Sequence, residues 1–193
     1  MSRSRSSRLA LVIPAIAIAA GIAATGTGGL GTVAAAEAAD GYEEALVKAE
    51  FVERFTRFVE WPRDSLGSSF VIGAFGDDPV GRALGTLASS RTIKDRPVEV
   101  RRLSRAAEAR SCHLVWIPSG RRPDLPGILA SARGQPVLTV GDSEGFARAG
   151  VHINLVRDGD RLGFEINLDE ARRSGLDLSS KLLRLGTIVG DAR

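Results

Sequence analysis

Residues 47–62 read VKAEFVERFTRFVEWP, and this stretch gives the clearest indication of the fold. When it is drawn as an α-helix at 100° per residue, its apolar side chains fall within an arc of about 140°. They are Val47, Phe51, Val52, Phe55, Phe58 and Val59, and the opposite side carries Glu53, Arg54, Arg57 and Glu60. Pro62 ends the pattern, because a proline disfavours helical geometry in the residue before it. The stretch therefore predicts an amphipathic helix over residues 41–60, with its apolar face in the core.

One charged side chain, that of Lys48, falls near the middle of the apolar arc. A charge in such a position costs several kcal/mol unless it is paired, so we predict a buried partner. The predicted partner is Glu165, in the strand FEIN at residues 164–167. Side chains alternate between the faces of a strand, so Glu165 lies with Asn167 on the face opposite the two apolar residues. The alternative is that Lys48 lies near the helix start, where its ammonium group reaches water.

Strands and helices alternate after this first helix. Strands are predicted at residues 69–75, 97–102, 112–117 and 136–140, with helices at residues 79–88, 105–109 and 123–132 between them. The stretches FVIGAF and CHLVWI are apolar throughout, as is typical of strands that are buried on both faces. Successive strands are about 20 to 25 residues apart, which predicts right-handed crossovers and a parallel sheet with helices on both faces.

The end of the chain departs from this alternation. Residues 151–157 and 161–167 are predicted strands, and the Asp-Gly-Asp turn between them indicates an antiparallel hairpin. Helices are predicted at residues 169–173 and 181–189, and the Ser-Ser pair before the second supplies its N-cap. The predicted fold class is α/β. We expect a single compact domain with a central, mostly parallel sheet, a C-terminal antiparallel hairpin and helices on both faces.

The N-terminal segment has the composition of an export signal. Residues 1–8, MSRSRSSR, carry three arginines and no acidic residue, and an apolar run and a tract of small residues ending in VAAAEAAD follow. This order is typical of a secretory signal peptide, here cleaved after Ala36 or Ala38. The apolar run is short for a membrane span, and an uncleaved anchor is the alternative. We therefore predict a signal peptide over residues 1–38 and an exported domain over residues 41–190.

The charge of the chain gives no indication of a nucleic-acid partner. The net charge is +3, with 26 basic and 23 acidic residues. The predicted signal peptide contains three of the arginines and one glutamate, so the mature chain is close to neutral. Its basic residues form no concentrated patch with stacking aromatic residues, which is the pattern that nucleic-acid binding requires.

The sequence contains no recognisable catalytic or metal-binding motif. Cys112 is the only cysteine, and His113 and His152 are the only histidines, which is too few ligands for a typical zinc site. No serine lies in a G-x-S-x-G elbow. The glycines that follow the first strand match neither G-x-G-x-x-G nor a P-loop. We therefore expect no enzyme, no cofactor and no metal ion.

Six blocks of sequence carry a resemblance to a known family. They are VKAEFVERFTRFVEWP, FVIGAFGDDPVG, RPVEVRRL, SCHLVWIPSG, PVLTVGDSEGFARAGVHINL and FEINLDEARRSGLDLSSKLLRL. In their order and spacing they resemble the YfiR family of periplasmic proteins, over about residues 42–189. The resemblance implies a compact α/β domain with a mixed sheet, often dimeric, in the periplasm. It also implies a repressor that binds the periplasmic domain of an inner-membrane diguanylate cyclase, and thereby limits cyclic-di-GMP and biofilm formation.

The cysteine content departs from that of the better-known members of this family. The resemblance implies that those members are stabilised by disulfides, one of which uses the cysteine that matches Cys112. The matching partner position in the first strand is Gly73 here. We therefore expect Cys112 to be a free and buried thiol.

A non-enzymatic regulator is the first class of function that these expectations support. Its partner would be the periplasmic domain of a membrane signalling protein of the GGDEF type, and a homodimer is a further expectation from the resemblance. Binding should use an exposed apolar surface. The candidate contact residues are Trp61, Glu165, Asn167 and Lys181.

Two other classes of function are the alternatives. A periplasmic small-ligand binding protein would use the carboxyl edge of the sheet, around Asp77, Asp78 and Ser119, where open parallel sheets bind their ligands. A hydrolase would use a serine such as Ser119 as its nucleophile, although the sequence places no base beside it.

Overall fold

The computed structural model describes residues 31–159 and 161–190. Its helices are α1 (Gly31–Phe55), α2 (Pro79–Ala88), α3 (Leu125–Ala132), α4 (Leu168–Arg173) and α5 (Ser180–Leu185). Its strands are β1 (Val59–Glu60), β2 (Phe70–Phe75), β3 (Thr92–Ile93), β4 (Arg96–Leu103), β5 (Leu114–Ile117), β6 (Leu138–Gly141), β7 (Ile153–Asp158), β8 (Arg161–Asn167), β9 (Asp177–Leu178) and β10 (Thr187–Val189). The predicted signal peptide lies for most of its length outside the described residues.

Within these residues, one sheet has the strand order β10-β8-β7-β6-β5-β2-β4-β3. The strands β2, β4, β5, β6 and β7 are parallel to one another. β8 is antiparallel to β7, β10 is parallel to β8, and β3 is antiparallel to β4. The predicted α/β class, with a mostly parallel sheet and a C-terminal antiparallel hairpin, is confirmed.

The apolar core lies on both faces of this sheet. In β2, Phe70, Ile72 and Ala74 point to one face, while Val71 and Phe75 point to the other, because side chains alternate along a strand. α1 and α2 pack on the first face. α3 packs on the second face, together with a short 3₁₀ turn that follows β4. Helices therefore cover both faces, as the alternating pattern predicts.

The first helix ends earlier than the sequence pattern predicts. α1 stops at Phe55 and one 3₁₀ turn follows. The chain is then extended at Val59 and Glu60, which pair antiparallel with Leu178 and Asp177 of β9. This pairing supplies hydrogen bonds to backbone groups that a further helical turn would otherwise have to satisfy. The prediction of a helix up to residue 60 is therefore wrong in its last turn.

The buried face of α1 is rotated relative to the predicted arc. Val47 is 47% exposed, whereas Glu53, which the pattern places towards solvent, is only 5% exposed. The rotation arises because Ala45 and Ala49 are part of the core, although their small side chains add little to an apolar pattern. Burial of Glu53 is possible because the guanidinium group of Arg91 pairs with its carboxylate at 3.3 Å.

The predicted last helix is wrong in its second half. α5 ends at Leu185, and Thr187–Val189 form the edge strand beside β8. The residue between them, Gly186, packs against Phe164, and a Cβ at this glycine would lie 2.5 Å from Cε2 of the ring. Only glycine fits so close to the ring. The β-branched residues that follow favour the extended conformation.

Candidate functional site

Lys48 ties the first helix to the loop that follows β6. Its Nζ lies 2.7 Å from Oδ2 of Asp142 and 3.0 Å from Oε1 of Glu44. The predicted pairing of Lys48 with Glu165 is wrong. Glu165 instead accepts a hydrogen bond of 3.3 Å from Nδ2 of Asn154 on the neighbouring strand β7. Asp142 follows directly after β6. It lies close to α1 because of the order of the strands in the sheet, which the sequence alone does not give.

The charges at this contact stabilise one another. Burial lowers the pKa of Lys48, but hydrogen bonds to Asp142 and Glu44 outweigh this effect, so the pKa lies above its ordinary value. The hydrogen bond from Lys48 in turn lowers the pKa of Glu44. Arg157 of β7 also pairs with Glu44, at 2.9 Å. Lys48 and Glu44 therefore remain charged near neutral pH, and their ion pairs hold α1 against the carboxyl ends of β6 and β7.

Replacement of Lys48 by alanine should destabilise the domain by about 1–3 kcal/mol. The substitution leaves the carboxylate of Asp142 largely buried without its cation, and the effect is reduced because part of the group reaches water. Lys181→Ala serves as the control, since Lys181 is exposed and should change stability by less than about 0.5 kcal/mol. Urea unfolding of both variants measures the difference. Equal stability of the two variants would contradict a structural role for the Lys48–Asp142 pair.

Two of the four predicted partner-binding residues are buried in the domain. The side chain of Trp61 is 6% exposed, and its indole N–H donates to the carbonyl oxygen of His113 at 3.2 Å. Asn167 is fully buried, where its Nδ2 donates to the carbonyl oxygen of Ala147 at 2.8 Å and its Oδ1 accepts from the N–H of Glu170 at 3.0 Å. These contacts correct the prediction, because both side chains hold the fold together and neither faces outward.

The other two candidates, Glu165 and Lys181, lie near an exposed apolar edge that the sequence reading missed. Lys181 is exposed on α5, and Leu185 follows it one helical turn later with 58% exposure. Ile188 on β10 is 54% exposed. Glu165 of β8 is half-buried and stands in register with Thr187. We call Lys181, Leu185 and Ile188 the C-terminal edge. A sequence prediction that continues the last helix to residue 189 contains no edge strand. The three β-branched residues after Gly186 are the only sequence signal for that strand.

The two aspartates after β2 are both engaged by protein groups. Oδ1 of Asp78 accepts from the N–H of Val80 at 2.9 Å and from the indole N–H of Trp116 at 2.8 Å, so it caps α2. Asp77 is exposed and pairs with Arg82 at 2.6 Å and with Arg102 at 2.8 Å. The hydrogen bond from Arg82 lowers the pKa of Asp77. The carboxylates predicted to surround a ligand therefore serve the turn between β2 and α2.

A buried serine and a buried histidine lie close together in the described part of the chain, and no sequence motif indicates this pair. Oγ of Ser174 lies 3.2 Å from Nε2 of His152, and both residues are buried. Burial lowers the pKa of His152 to about 4. Substrate has no access to a pair enclosed in this way, so its role is to hold α4 against the sheet. Ser119 is exposed at the start of a 3₁₀ turn.

Cys112 is a buried thiol without a disulfide partner. It is 4% exposed, and burial raises the pKa of its thiol to about 11. Its Sγ lies against Gly73 of β2, since a Cβ placed on that glycine would be 2.8 Å from the sulfur. A thiol that stays protonated near neutral pH is a poor nucleophile.

Residues 31–159 and 161–190 contain no group of three or more His, Cys, Asp or Glu side chains that could hold a metal ion. Within the same ranges, no helix is both long enough and apolar enough to cross a membrane.

The fold is that of a mostly parallel α/β domain, and solved structures with a similar fold are known. An ABC domain in complex with L-Trp from Streptococcus pneumonia is similar, with a TM-score of 0.51, 13% identity, and coverage of 75% of this chain and 60% of that one. A conserved domain protein from Vibrio cholerae O1 biovar eltor str. N16961 has a TM-score of 0.51, 10% identity and coverages of 75% and 59%. The chain thus spans about three fifths of either neighbour. At such identities the likeness concerns the fold alone.

The sequence identifies the family. A family model described as YfiR/HmsC-like matches residues 45–187, and the chain belongs to this family. The YfiR family comprises periplasmic regulators of diguanylate cyclase signalling. No curated protein matches the chain.

Proposed function

We propose that this protein is a non-enzymatic periplasmic repressor, exported by its N-terminal signal peptide as a domain of residues 41–190. Its partner is the periplasmic domain of an inner-membrane diguanylate cyclase, whose GGDEF output it holds inactive. Family membership supports the regulatory role. The aspartates after β2, the Lys48 cluster and the Ser174–His152 pair support action by binding rather than by catalysis, because they are engaged in a helix cap, ion pairs and a buried hydrogen bond.

The C-terminal edge is the observation that carries this proposal. Four large apolar side chains are exposed in the part of the chain whose burial is described, and two of them, Leu185 and Ile188, belong to this edge and are three residues apart in sequence. The strand β10 ends the sheet here, so the backbone groups on its outer side have no strand beside them within the described residues. An exposed strand edge flanked by apolar side chains is a typical surface for pairing with another chain.

A Leu185→Glu/Ile188→Glu double variant should lose partner binding by tenfold or more. Charges placed at an apolar contact must be desolvated without a counter-charge, which costs at least about 1.4 kcal/mol. Binding to the periplasmic domain of an inner-membrane GGDEF protein from the source organism is measured by biolayer interferometry. The level of cyclic-di-GMP in cells provides the second measurement: the native protein should lower it, and the double variant should not.

Tyr42→Glu is the matched control for this experiment. Tyr42 is 54% exposed and lies on α1, thirteen residues before Phe55, whose ring packs on Phe164 near β10. At 1.5 Å per residue this separation is about 20 Å. The control should bind as the native protein does. A double variant that binds with native affinity and still represses would contradict the assignment of the C-terminal edge.

The oligomeric state is tested on the same proteins. We propose that free copies can also associate through this edge, since a strand edge is self-complementary across a two-fold axis. Light scattering after size-exclusion chromatography should then show a dimer for the native protein and a monomer for the double variant. A dimer that survives both substitutions would assign self-association to another surface.

A further inference from the structure

A groove opens at the carboxyl ends of β2 and β4, on the face of the sheet that α3 covers. Its volume is about 460 Å³, and Phe75, Ser104, Arg105, Arg121, Asp124 and Gly127 are among the residues that line it. Pockets that bind small molecules have volumes of roughly 300–1,000 Å³, and in open parallel sheets they lie at the carboxyl ends of the strands. The size and the position of the groove are therefore those of a ligand site.

Arg105 lines the groove and pairs with Glu108, and its side chain is 79% exposed. Its Nε and Nη2 donate to Oε1 of Glu108 at 3.3 and 3.1 Å. The second oxygen of Glu108 accepts from the backbone N–H groups of Ser104 and Arg105 at 2.8 and 3.0 Å. These backbone hydrogen bonds lower the pKa of Glu108 to about 2, so the carboxylate remains charged. Within the described residues, Nη1 of Arg105 makes no hydrogen bond and is available to a ligand.

Arg121 also lines the groove, and its side chain is 31% exposed. Its Nη1 donates to Oδ2 of Asp124 at 3.0 Å, and its guanidinium carbon lies 5.8 Å from the centre of the Phe75 ring. Its Nη2 packs against Gly76, whose φ is +74° and on which a Cβ would lie 3.3 Å from that nitrogen. A glycine at this position therefore leaves room for the guanidinium group. Nε and Nη2 of Arg121 have no acceptor among the described residues.

We propose that this groove binds a small soluble anion that carries a carboxylate or phosphate group. Arg105 and Arg121 present planar N–H donors, and each guanidinium group is already paired with a carboxylate, so less side-chain entropy is lost on binding than for unpaired arginines. The hydroxyl group of Ser104 donates to Oε2 of Glu108 at 3.5 Å and so supports the carboxylate that pairs with Arg105. Each arginine is paired with one carboxylate, Glu108 or Asp124, so the four charges balance, and recognition of an anion relies on the guanidinium N–H groups that these pairs leave without an acceptor. This ligand site is separate from the C-terminal edge and does not depend on the identity of the protein partner.

Titration calorimetry of the mature chain tests the proposal, with inorganic phosphate and succinate as the two probes. Binding of at least one probe is expected, and it should weaken as ionic strength rises. Arg121→Gln and Arg105→Gln should each weaken that binding tenfold or more. Arg63→Gln is the control, because Arg63 is exposed and lies before β2, at the opposite end of the strand from Phe75.

A second measurement locates the bound anion. Amide signals of Gly76, Ser104 and Gly127 in NMR spectra should shift on addition of the probe, in the native protein and not in Arg121→Gln.

Pelleting with phosphatidylglycerol vesicles distinguishes a lipid phosphate from a free one, and we expect no pelleting. Absence of binding by either probe at millimolar concentration would overturn the proposal. Equal affinity of the native protein and both arginine variants would overturn it as well, as would pelleting that depends on Arg121. Urea unfolding confirms that each variant is folded.

Discussion

A Gly73→Cys variant is expected to form a disulfide with Cys112 and to gain about 2–4 kcal/mol of stability on oxidation. A Cβ at Gly73 would lie 2.8 Å from Sγ of Cys112, and a disulfide requires a separation of about 3 Å between these two atoms. The bond would close a loop of roughly 40 residues, for which the chain-entropy model gives close to 4 kcal/mol. The position of Gly73 beside Cys112 is therefore compatible with the disulfide that the family resemblance implies for other members.

The same Cβ has a steric cost, which reduces the gain. It would lie 2.6 Å from Cδ1 of Leu103, so that side chain must shift. Gly73→Ser is therefore the matched control, since it introduces the same Cβ without a sulfur and should be less stable than the native protein. Urea midpoints with and without dithiothreitol, together with thiol titration, measure the effect. Equal midpoints of the oxidised and reduced Gly73→Cys protein would contradict the expected geometry.

The native thiol should remain inert under the same conditions. Cys112 is buried and the pKa of its thiol is raised, so neither air oxidation nor pairing between two copies is expected. Non-reducing gel electrophoresis of the native protein checks this expectation, and a reducible dimer would contradict it.

The fold class was predictable because it depends on patterns that are local in sequence. Apolar stretches such as FVIGAF can be buried only as central strands, and a short Asp-Gly turn closes a hairpin whatever surrounds it. The rotation of α1 was not predictable, because Ala45 and Ala49 mark its buried face and alanine is compatible with either environment. The end of that helix depended on β9, which lies more than a hundred residues further along the chain.

The candidate site was less predictable than the fold. The need for a partner to Lys48 follows from the helix pattern, but the choice of Asp142 over Glu165 requires the order of β6, β7 and β8. Trp61 was expected at a surface because it stands near the end of a helix. The distant carbonyl of His113 gives its indole N–H a buried acceptor, and no sequence pattern encodes that contact. Exposure of Leu185 and Ile188 depends on where the sheet ends, which is likewise a property of the whole topology.

His152 should make the stability of the domain depend on pH. The N–H of Thr139 donates to Nδ1 of His152 at 3.1 Å, so the ring proton lies on Nε2, which donates to Oγ of Ser174 at 3.2 Å. Protonation of Nδ1 would place its N–H opposite the backbone N–H of Thr139 inside the core, so that two donors would face each other without an acceptor. Burial lowers the pKa of this imidazole from 6.5 to about 4, and no charged group contributes to the shift. His113 uses its Nδ1 in the same way, accepting from the N–H of Val71 at 2.8 Å.

The sign of the effect follows from the two protonation states. The unfolded chain binds a proton at His152 below about pH 6.5, whereas the folded protein resists it until about pH 4, so stability is full above pH 6.5 and falls as the pH decreases between these values. The loss should reach about 3 kcal/mol, of which roughly 2 kcal/mol appears between about pH 7 and pH 5. Carboxylates with lowered pKa values, such as Glu44 and Glu108, lose their contribution to stability only below about pH 4.5. The change in stability between about pH 7 and pH 5 is therefore due to the histidines.

His152→Gln isolates the contribution of this residue. Glutamine does not titrate, so the variant should lose about 2 kcal/mol of pH dependence between about pH 7 and pH 5, although its stability near neutral pH is lower. His113→Gln is the comparison: this half-buried imidazole also has a lowered pKa, chiefly through burial, so its removal should flatten the curve in the same direction. Urea unfolding at intervals of half a pH unit measures all three proteins. If the native protein and His152→Gln show the same slope, the buried histidine is not the group that links stability to pH.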